Sequence, residues 1–127
     1  MPSPADRSYA DTHEWHRHEG DLVVIGLTKY AVNALTDVTY VSLRPVGTAV
    51  EPGKPVGEVE SVKTTSDVYS AVAGQIVETN AAVVEDPSRL NADPYSAWLV
   101  KLRAPGAAAG LSKLHTAANY DAKYPTA

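Results

Sequence analysis

Short runs of apolar residues, separated by turn signals, recur along most of the chain. Several of these runs alternate apolar with polar residues, which is the pattern of a half-buried β-strand. The dipeptides Pro52-Gly53 and Thr79-Asn80 are turn signals between neighbouring runs. The predicted strands cover residues 21–26, 38–43, 56–60, 68–72, 75–78 and 98–102. Many short strands with frequent turns favour a mainly β fold of the barrel or sandwich type.

Two segments have a helical pattern instead. Thr28 is a suitable N-cap for a short helix over residues 29–35. The apolar face of that helix is predicted to comprise Tyr30, Ala31, Ala34 and Leu35. Residues 107–124 are rich in alanine and contain no proline, so one or two short helices are expected there. Residues 1–8 are expected to be a loose lead-in, and no linker divides the chain, so residues 1–127 are predicted to form a single domain.

The composition argues against several classes of protein. The formal net charge of −4 does not suit a nucleic-acid surface, which needs clustered lysine and arginine. The chain has no cysteine, so disulfides and thiolate metal sites are excluded, and any redox step must use a group other than its own thiols. No apolar run approaches the roughly 20 residues that span a bilayer, and the N-terminus resembles neither a secretory signal nor a transit peptide. A soluble, cytoplasmic protein with no nucleic-acid or membrane partner is expected.

Lys63 lies between two predicted strands and would stand at the exposed tip of a hairpin. Residues 60–65 read Glu-Ser-Val-Lys-Thr-Thr. An enzyme can reach an ε-amine at such a tip and acylate it, which converts the cationic amine into a neutral amide. On spacing alone, an ordinary solvent-exposed turn lysine is the favoured interpretation.

Segments in the same order along the chain resemble the glycine cleavage system H-protein family. Residues 60–63, Glu-Ser-Val-Lys, followed by 66–69, Ser-Asp-Val-Tyr, resemble the family's lipoylation segment. Residues 9–15 read Tyr-Ala-Asp-Thr-His-Glu-Trp, residues 25–31 read Ile-Gly-Leu-Thr-Lys-Tyr-Ala, and residues 91–95 read Asn-Ala-Asp-Pro-Tyr, with Trp98 close behind. Several ordered motifs between residues 9 and 102 are far more specific than one lysine in a turn.

The resemblance implies both a fold and a function. The fold would be a β-sandwich of the lipoyl/biotinyl type, a barrel-sandwich hybrid, with short peripheral and C-terminal helices. Lys63 would carry covalently attached lipoic acid. The chain would be a carrier and not an enzyme, shuttling the aminomethyl group of glycine from glycine decarboxylase (the P protein) to a tetrahydrofolate-dependent aminomethyltransferase (the T protein). Dihydrolipoamide dehydrogenase (the L protein) and a lipoate-attaching enzyme are the other implied partners, and a monomer is expected.

The resemblance also implies a cleft that protects the loaded end of the arm. In the family, the positions that match Thr12, Glu14 and Asp67 line this cleft. Two carboxylates and a hydroxyl suit a cationic amine, because charge-assisted hydrogen bonds are the strong ones. The alternative is that both acids are ordinary surface carboxylates.

The chain departs from the family pattern at a few positions. Lys29 stands where an acid is usual, Thr36 where glycine is usual and Ala71 where proline is usual, and the loop at residues 96–98 is one residue shorter. Glycine at the position of Thr36 suggests a helix end with positive φ, so the threonine is predicted to be strained.

Other interpretations compete with the aminomethyl carrier. Biotin carriers place their lysine between two methionines, whereas Val62 and Thr64 flank Lys63, so lipoate is preferred. An H-like lipoate donor or a regulatory lipoyl module would need the same lysine, and the sequence does not separate it from the carrier. The histidines at positions 13, 16 and 18 are close enough in sequence to suggest a metal site. In a strand, however, His13 would face away from the other two, so no metal is predicted.

Overall fold

The computed structural model of the protein describes residues 3–125, which form two antiparallel sheets with short helices around them. The strands are β1 (Ser8–Tyr9), β2 (Glu14–Glu19), β3 (Leu22–Leu27), β4 (Val38–Leu43), β5 (Ala49–Val50), β6 (Pro55–Ser61), β7 (Thr65–Tyr69), β8 (Gly74–Thr79) and β9 (Val100–Arg103). The helices are α1 (Lys29–Leu35), α2 (Ala81–Glu85), α3 (Ser88–Ala92), α4 (Ala108–Leu111) and α5 (Ala117–Lys123). One sheet has the strand order β1-β2-β3-β9-β8-β5, and the other has the order β4-β6-β7.

The main core lies between the two sheets and is aliphatic. Each strand turns alternate side chains inward, so both sheets contribute to one contiguous cluster. Its fully buried members include Val23, Ile25, Val41, Val59, Val68, Ile76 and Leu102. This packing of two sheets over an aliphatic layer agrees with the mainly β class predicted from the sequence.

A second, aromatic cluster covers the other face of β3. Val24 packs there with Trp15, Tyr9 and Tyr120. The indole of Trp15 lies so close to Gly26 that a Cβ on this residue would be 2.5 Å from the ring. Glycine at position 26 therefore permits the tryptophan to lie flat on β3, which fixes the strand that also carries Glu14.

Helix α1 begins and ends where the sequence predicts. The Thr28 hydroxyl accepts a hydrogen bond from the Ala31 amide at 3.2 Å, as an N-cap should. The buried side chains of the helix are those of Val32 and Leu35, whereas Ala34 is exposed. The predicted apolar face was therefore wrong by part of a turn, because the side chain at position 32 faces the core and the alanine does not.

The first residues of the chain are not a loose lead-in where the structure describes them. The Ser3 amide donates to Asp121 Oδ2 at 2.9 Å, and Arg7 Nη1 donates to the Tyr95 carbonyl at 2.9 Å. Ser8–Tyr9 forms β1 against β2. This part of the prediction was wrong because the partners lie 88 and 118 residues away in sequence. Residues 1 and 2 fall outside the described range.

The other differences concern short elements. The sequence analysis assigned no strand to the segment of β2. It also assigned no helix to the segments of α2 and α3, since five-residue helices carry almost no periodic signal. Helices α4 and α5 lie in the stretch 107–124. Among residues 3–125, no helix combines the length and the apolar character needed to cross a membrane.

Candidate functional site

Lys63 lies at the tip of the hairpin that joins β6 to β7. The Ser61 amide donates to the Thr64 carbonyl at 2.8 Å and closes the turn. The Ser61 hydroxyl oxygen then accepts hydrogen bonds from the amides of Lys63 and Thr64 at 3.3 and 3.2 Å. The backbone at the tip is therefore ordered, while the lysine side chain extends into solvent.

The surroundings of Lys63 leave its amine open to a protein partner. The preceding residue, Val62, has an apolar side chain and is 69% exposed at the tip. Behind the tip, the cross-strand pairs are Glu60 with Thr65 and Glu58 with Asp67. Acids opposite each other or close together weaken a sheet slightly, so this acidic ladder of Glu58, Glu60 and Asp67 does not stabilise the hairpin.

A tight turn at residues 10–14 brings the N-terminal acid and hydroxyl together. The Ala10 amide donates to the Glu14 carbonyl at 3.0 Å, and the His13 amide donates to the Ala10 carbonyl at 2.9 Å. His13 adopts φ 77°, a left-handed conformation that tightens the connection between β1 and β2. As a result, the Thr12 hydroxyl donates a short hydrogen bond to Glu14 Oε1.

Glu14 is a buried carboxylic acid whose two oxygens each accept a hydrogen bond. The residue is only 1% exposed, and its Oε2 accepts a hydrogen bond from the Tyr69 amide at 3.0 Å. Burial raises the pKa of Glu14 to about 7, although the hydrogen bonds from Thr12 and Tyr69 oppose the shift. Glu14 is thus poised to change charge near neutral pH.

Asp67 is placed close to this pair but does not share its cavity. Thr12 lines a cavity of about 430 Å³ with Gly53, Tyr69, Ser70 and Ala71. Asp67 faces a separate cavity of about 230 Å³ on the outer face of the three-stranded sheet, beside Glu58. The Tyr69 hydroxyl donates to Asp67 Oδ2 at 3.4 Å, so the tyrosine lies between the two acids.

Tyr69 and His16 are the residues of this region whose structural roles the sequence did not predict. Tyr69 belongs to the Ser-Asp-Val-Tyr segment at residues 66–69. The hydrogen bond from its backbone amide to Glu14, however, depends on how β7 lies against β2. His16 is buried, and its Nε2 accepts a hydrogen bond from the Ala71 amide at 3.1 Å. The only signal for His16 in the sequence was its place among the three histidines 13, 16 and 18, and these were considered only as metal ligands.

The histidines do not converge. His13 Nδ1 lies 2.7 Å from the Tyr120 hydroxyl, and its ring stacks on Tyr30 with centroids 4.4 Å apart. His16 lies between the sheets and His18 is exposed. Within residues 3–125, no three histidine or acidic side chains are grouped as ligands for a metal ion.

Comparison with known proteins places the chain in a family. A family model described as glycine cleavage H-protein matches residues 7–126. The chain belongs to the glycine cleavage H-protein family. The membership predicted from the ordered motifs is therefore confirmed.

Curated relatives and a solved structure agree with this assignment. The glycine cleavage system H protein of Thermus thermophilus is 52% identical over 104 residues, which are 81% of each chain. Glycine cleavage system H protein 2 of Pseudomonas syringae pv. tomato is 46% identical over 118 residues, 92% of each chain. The crystal structure of a glycine cleavage system H protein from Mycobacterium marinum matches with a TM-score of 0.85 and 41% identity, over 95% of this chain and 98% of that one.

The solved H-protein structure also confirms the predicted fold class. The two antiparallel sheets of this chain correspond over nearly the whole chain to those of the family's lipoyl-type β-sandwich. H proteins are the lipoyl carriers of the glycine cleavage system, so the function predicted from the sequence is confirmed at the level of the family's role.

Proposed function

We propose that this protein carries a lipoyl group on Nζ of Lys63 and delivers the aminomethyl group of glycine between enzymes. The observation that carries the proposal is the ordered hairpin tip, with Lys63 exposed on a turn whose backbone is held by the Ser61 hydroxyl. A rigid turn presents one lysine in a defined place, which is what an attaching enzyme needs to recognise it.

The exposed lysine has the chemistry that lipoic acid requires. A primary amine forms an amide with an activated carboxyl group, and the lysine loses its charge in doing so. When bound, the lipoyl group supplies a disulfide that opens to accept the aminomethyl group and is later reoxidised. The chain itself provides the attachment point and the surface along which the arm lies.

Thr12, Glu14 and Asp67 are proposed to hold the cationic end of the loaded arm. Glu14 is supported by its burial and by its position beside the cavity that Thr12 and Tyr69 line. An ionised carboxylate in a partly dry site binds an ammonium group more strongly than a surface acid does. Asp67 lies on the path from Lys63 along β7 and is exposed, so its contribution is expected to be smaller.

The proposed partners are the enzymes that would share this arm. They are glycine decarboxylase, the aminomethyltransferase, dihydrolipoamide dehydrogenase and a lipoate-attaching enzyme. Tethering raises the effective concentration of the reactive end at each partner. The acidic ladder of Glu58, Glu60 and Asp67 behind Lys63 would steer cationic surfaces toward the tip. We further propose that the protein acts in the cytoplasm, since the relatives named above are bacterial proteins. We also propose that it is a monomer that the enzymes share as a substrate.

Intact-protein mass spectrometry tests the attachment site directly. Wild type and Lys63→Arg are produced in lipoate-competent cells, and we expect one lipoyl mass on the wild type and none on the variant. Arginine retains the charge but has no acylable amine, so the variant should fold normally by circular dichroism. A lipoyl adduct on Lys63→Arg would place the modification elsewhere.

Glycine–bicarbonate exchange then separates the aminomethyl carrier from a lipoate donor or regulatory module. Lipoylated wild type, mixed with glycine decarboxylase, should support exchange, and Lys63→Arg should support none. Lipoylated wild type that fails to support exchange would favour the lipoate-donor role.

A further inference from the structure

Strand β2 holds the segment 69–71 through two buried side chains. Glu14 and His16 are two residues apart and therefore point to the same face of the strand. Glu14 Oε2 accepts a hydrogen bond from the Tyr69 amide at 3.0 Å, and His16 Nε2 accepts one from the Ala71 amide at 3.1 Å. The two side chains take the place that carbonyl oxygens occupy in a sheet ladder, and they fasten the end of β7 to the larger sheet.

His16 is an unusual residue at this buried position, because one of its ring nitrogens has no hydrogen-bond partner among the described residues. The residue is 1% exposed, and with Nε2 acting as an acceptor the ring proton resides on Nδ1. Among residues 3–125, Nδ1 finds no hydrogen-bond partner of normal geometry. A buried polar atom without a partner costs stability, and an aliphatic side chain at this position would avoid that cost. The gain from the imidazole is therefore the hydrogen bond from Ala71.

The segment that His16 holds is one wall of the cavity beside Glu14. Tyr69, Ser70 and Ala71 line this cavity of about 430 Å³ together with Thr12 and Gly53. The Ser70 amide is held separately by the Lys54 carbonyl at 3.2 Å. Ala71 also stands where the family usually has proline, a residue with no amide hydrogen to donate. The bond to His16 is thus available because the residue at position 71 is not proline.

We propose that His16 is a positioning residue that keeps the 69–71 wall in place while Glu14 binds the cationic end of the arm. In the unloaded protein, Glu14 Oε2 is engaged by the Tyr69 amide. A cation that attracts this carboxylate weakens its hold on the wall, whereas the bond between His16 and Ala71 is unaffected. This role deepens the proposed arm cleft and rests on it, but the bond itself exists without any arm.

Amide hydrogen exchange on the unmodified full chain tests the bond. His16→Val removes the acceptor and should speed exchange of the Ala71 amide by roughly two- to tenfold, with the Tyr69 amide much less affected. His16→Gln offers an amide oxygen in the same region and should restore part of the protection. His18→Val, on an exposed residue of the same strand, is the matched control. Unchanged Ala71 exchange in His16→Val would overturn the proposal.

The lifetime of the loaded arm tests the positioning role. Loaded protein should decay several-fold faster in His16→Val than in wild type or His18→Val, and His16→Gln should recover part of the difference. In an Ala71→Pro background, His16→Val should have no further effect, because the donor is already gone. Equal lifetimes despite faster Ala71 exchange would overturn the role in the cleft. Absence of lipoyl mass on wild-type Lys63 would instead overturn the proposed function, while the exchange data still decide whether His16 holds the wall.

Discussion

At the scale of single residues, Glu14 combines burial with the need to carry charge. Burial raises its pKa to about 7, which means that the protonated and ionised forms coexist near neutral pH. Only the ionised form attracts an ammonium group strongly. The strength with which Glu14 holds the loaded arm should therefore depend on pH in the physiological range.

The first prediction concerns the contribution of Glu14 to the lifetime of the loaded arm. Glu14→Gln keeps the shape and removes the charge, so a charge-assisted hydrogen bond worth about 1.5–3 kcal/mol is lost. The loaded protein should decay roughly ten- to a hundredfold faster, with a smaller effect in Asp67→Asn. Glu58→Gln, at the cross-strand neighbour of Asp67, serves as the control. Identical decay of Glu14→Gln and wild type would remove Glu14 from the cleft.

The second prediction is the pH dependence of the same lifetime. Above pH 7 Glu14 is ionised, and wild type should outlast Glu14→Gln by the full factor. The bound ammonium group lowers the pKa of Glu14 from its value in the unloaded protein, so the two lifetimes should converge as the pH falls below 7 and the carboxylate is protonated. Decay is followed by mass spectrometry at pH 6, 7 and 8. A lifetime ratio that does not change with pH would contradict the titration of Glu14.

The third prediction concerns the strained end of α1. Thr36 adopts φ 65° and ψ −133°, a region almost restricted to glycine. Thr36→Gly should relieve the strain and raise the free energy of unfolding by about 1 kcal/mol, after the larger unfolded-state entropy of glycine is subtracted. Thr36→Ala retains the Cβ and loses the hydroxyl bond to the Leu35 carbonyl, so it should gain nothing. Thermal unfolding of the three proteins measures the difference, and a Thr36→Gly variant no more stable than wild type would show that the turn is unstrained.

At the scale of elements, β2 carries two buried groups whose pKa values shift in opposite directions. Burial lowers the pKa of His16 to about 4 from its ordinary 6.5, with the nearby Glu14 carbonyl opposing the shift. Its folded-state pKa is depressed, so this histidine adds stability as the pH rises from about 4 to 6.5. The pKa of Glu14 is raised from 4.5 to about 7, so Glu14 removes stability as the pH rises through 4.5 to 7. Between pH 4.5 and 6.5 the two effects offset each other.

The fourth prediction follows from this opposition. Relative to wild type, the stability of Glu14→Gln should increase with pH between 4.5 and 6.5, by up to about 1.4 kcal/mol per pH unit. The stability of His16→Val should change with the opposite slope, because the shifted titration of Glu14 is then no longer offset by that of His16. Urea denaturation at three pH values within this window gives both slopes. Variants whose slopes match that of wild type would show that neither group is perturbed.

The sequence predicted those features of the elements that depend on contacts between residues close together in the chain. Thr28 caps α1 through an amide three residues away, and the Ser61 turn closes within four residues, so both were predictable. The contacts from β2 to Tyr69 and Ala71 join residues 55 positions apart. These contacts depend on how the two sheets pack, and no local pattern encodes that. For this reason Glu14 was assigned by resemblance, and His16 was missed.

At the scale of the whole molecule, the two ends of the chain are fastened together. The backbone of Tyr9 pairs with that of His115. Asp11 Oδ1 accepts hydrogen bonds from His115 Nε2, Lys123 Nζ and the Tyr124 hydroxyl at 2.8, 3.1 and 2.9 Å. These donors hold the pKa of Asp11 well below its usual range. Helix α5 therefore packs over the turn that carries Thr12 and Glu14. This contact joins residues more than 100 positions apart, so the sequence around the turn could not predict it.

The fifth prediction tests how much this closure contributes to stability. Tyr120 on α5 is 1% exposed, and its hydroxyl lies 2.9 Å from Thr28 Oγ1 and 2.7 Å from His13 Nδ1. Tyr120→Ala should lower the free energy of unfolding by about 3–5 kcal/mol, because a large aromatic side chain leaves a cavity. Tyr120→Phe keeps the ring and should cost only about 1 kcal/mol for the lost hydrogen bonds. Equal losses in the two variants by urea denaturation would mean that the hydroxyl, and not the packing, secures the helix.

The short outer strands have a consequence for how the protein behaves in a crowded solution. Strands β1 and β5, at the two edges of the larger sheet, have only two residues each. At the edges of the smaller sheet, α2 and α3 pack against β4, and Glu14 accepts a hydrogen bond from the Tyr69 amide at the end of β7. Open strand edges are templates on which further copies of a chain can add and grow into fibrils. A β-rich carrier with blunted edges can be accumulated to the concentration that its several enzymes require without seeding aggregates of itself.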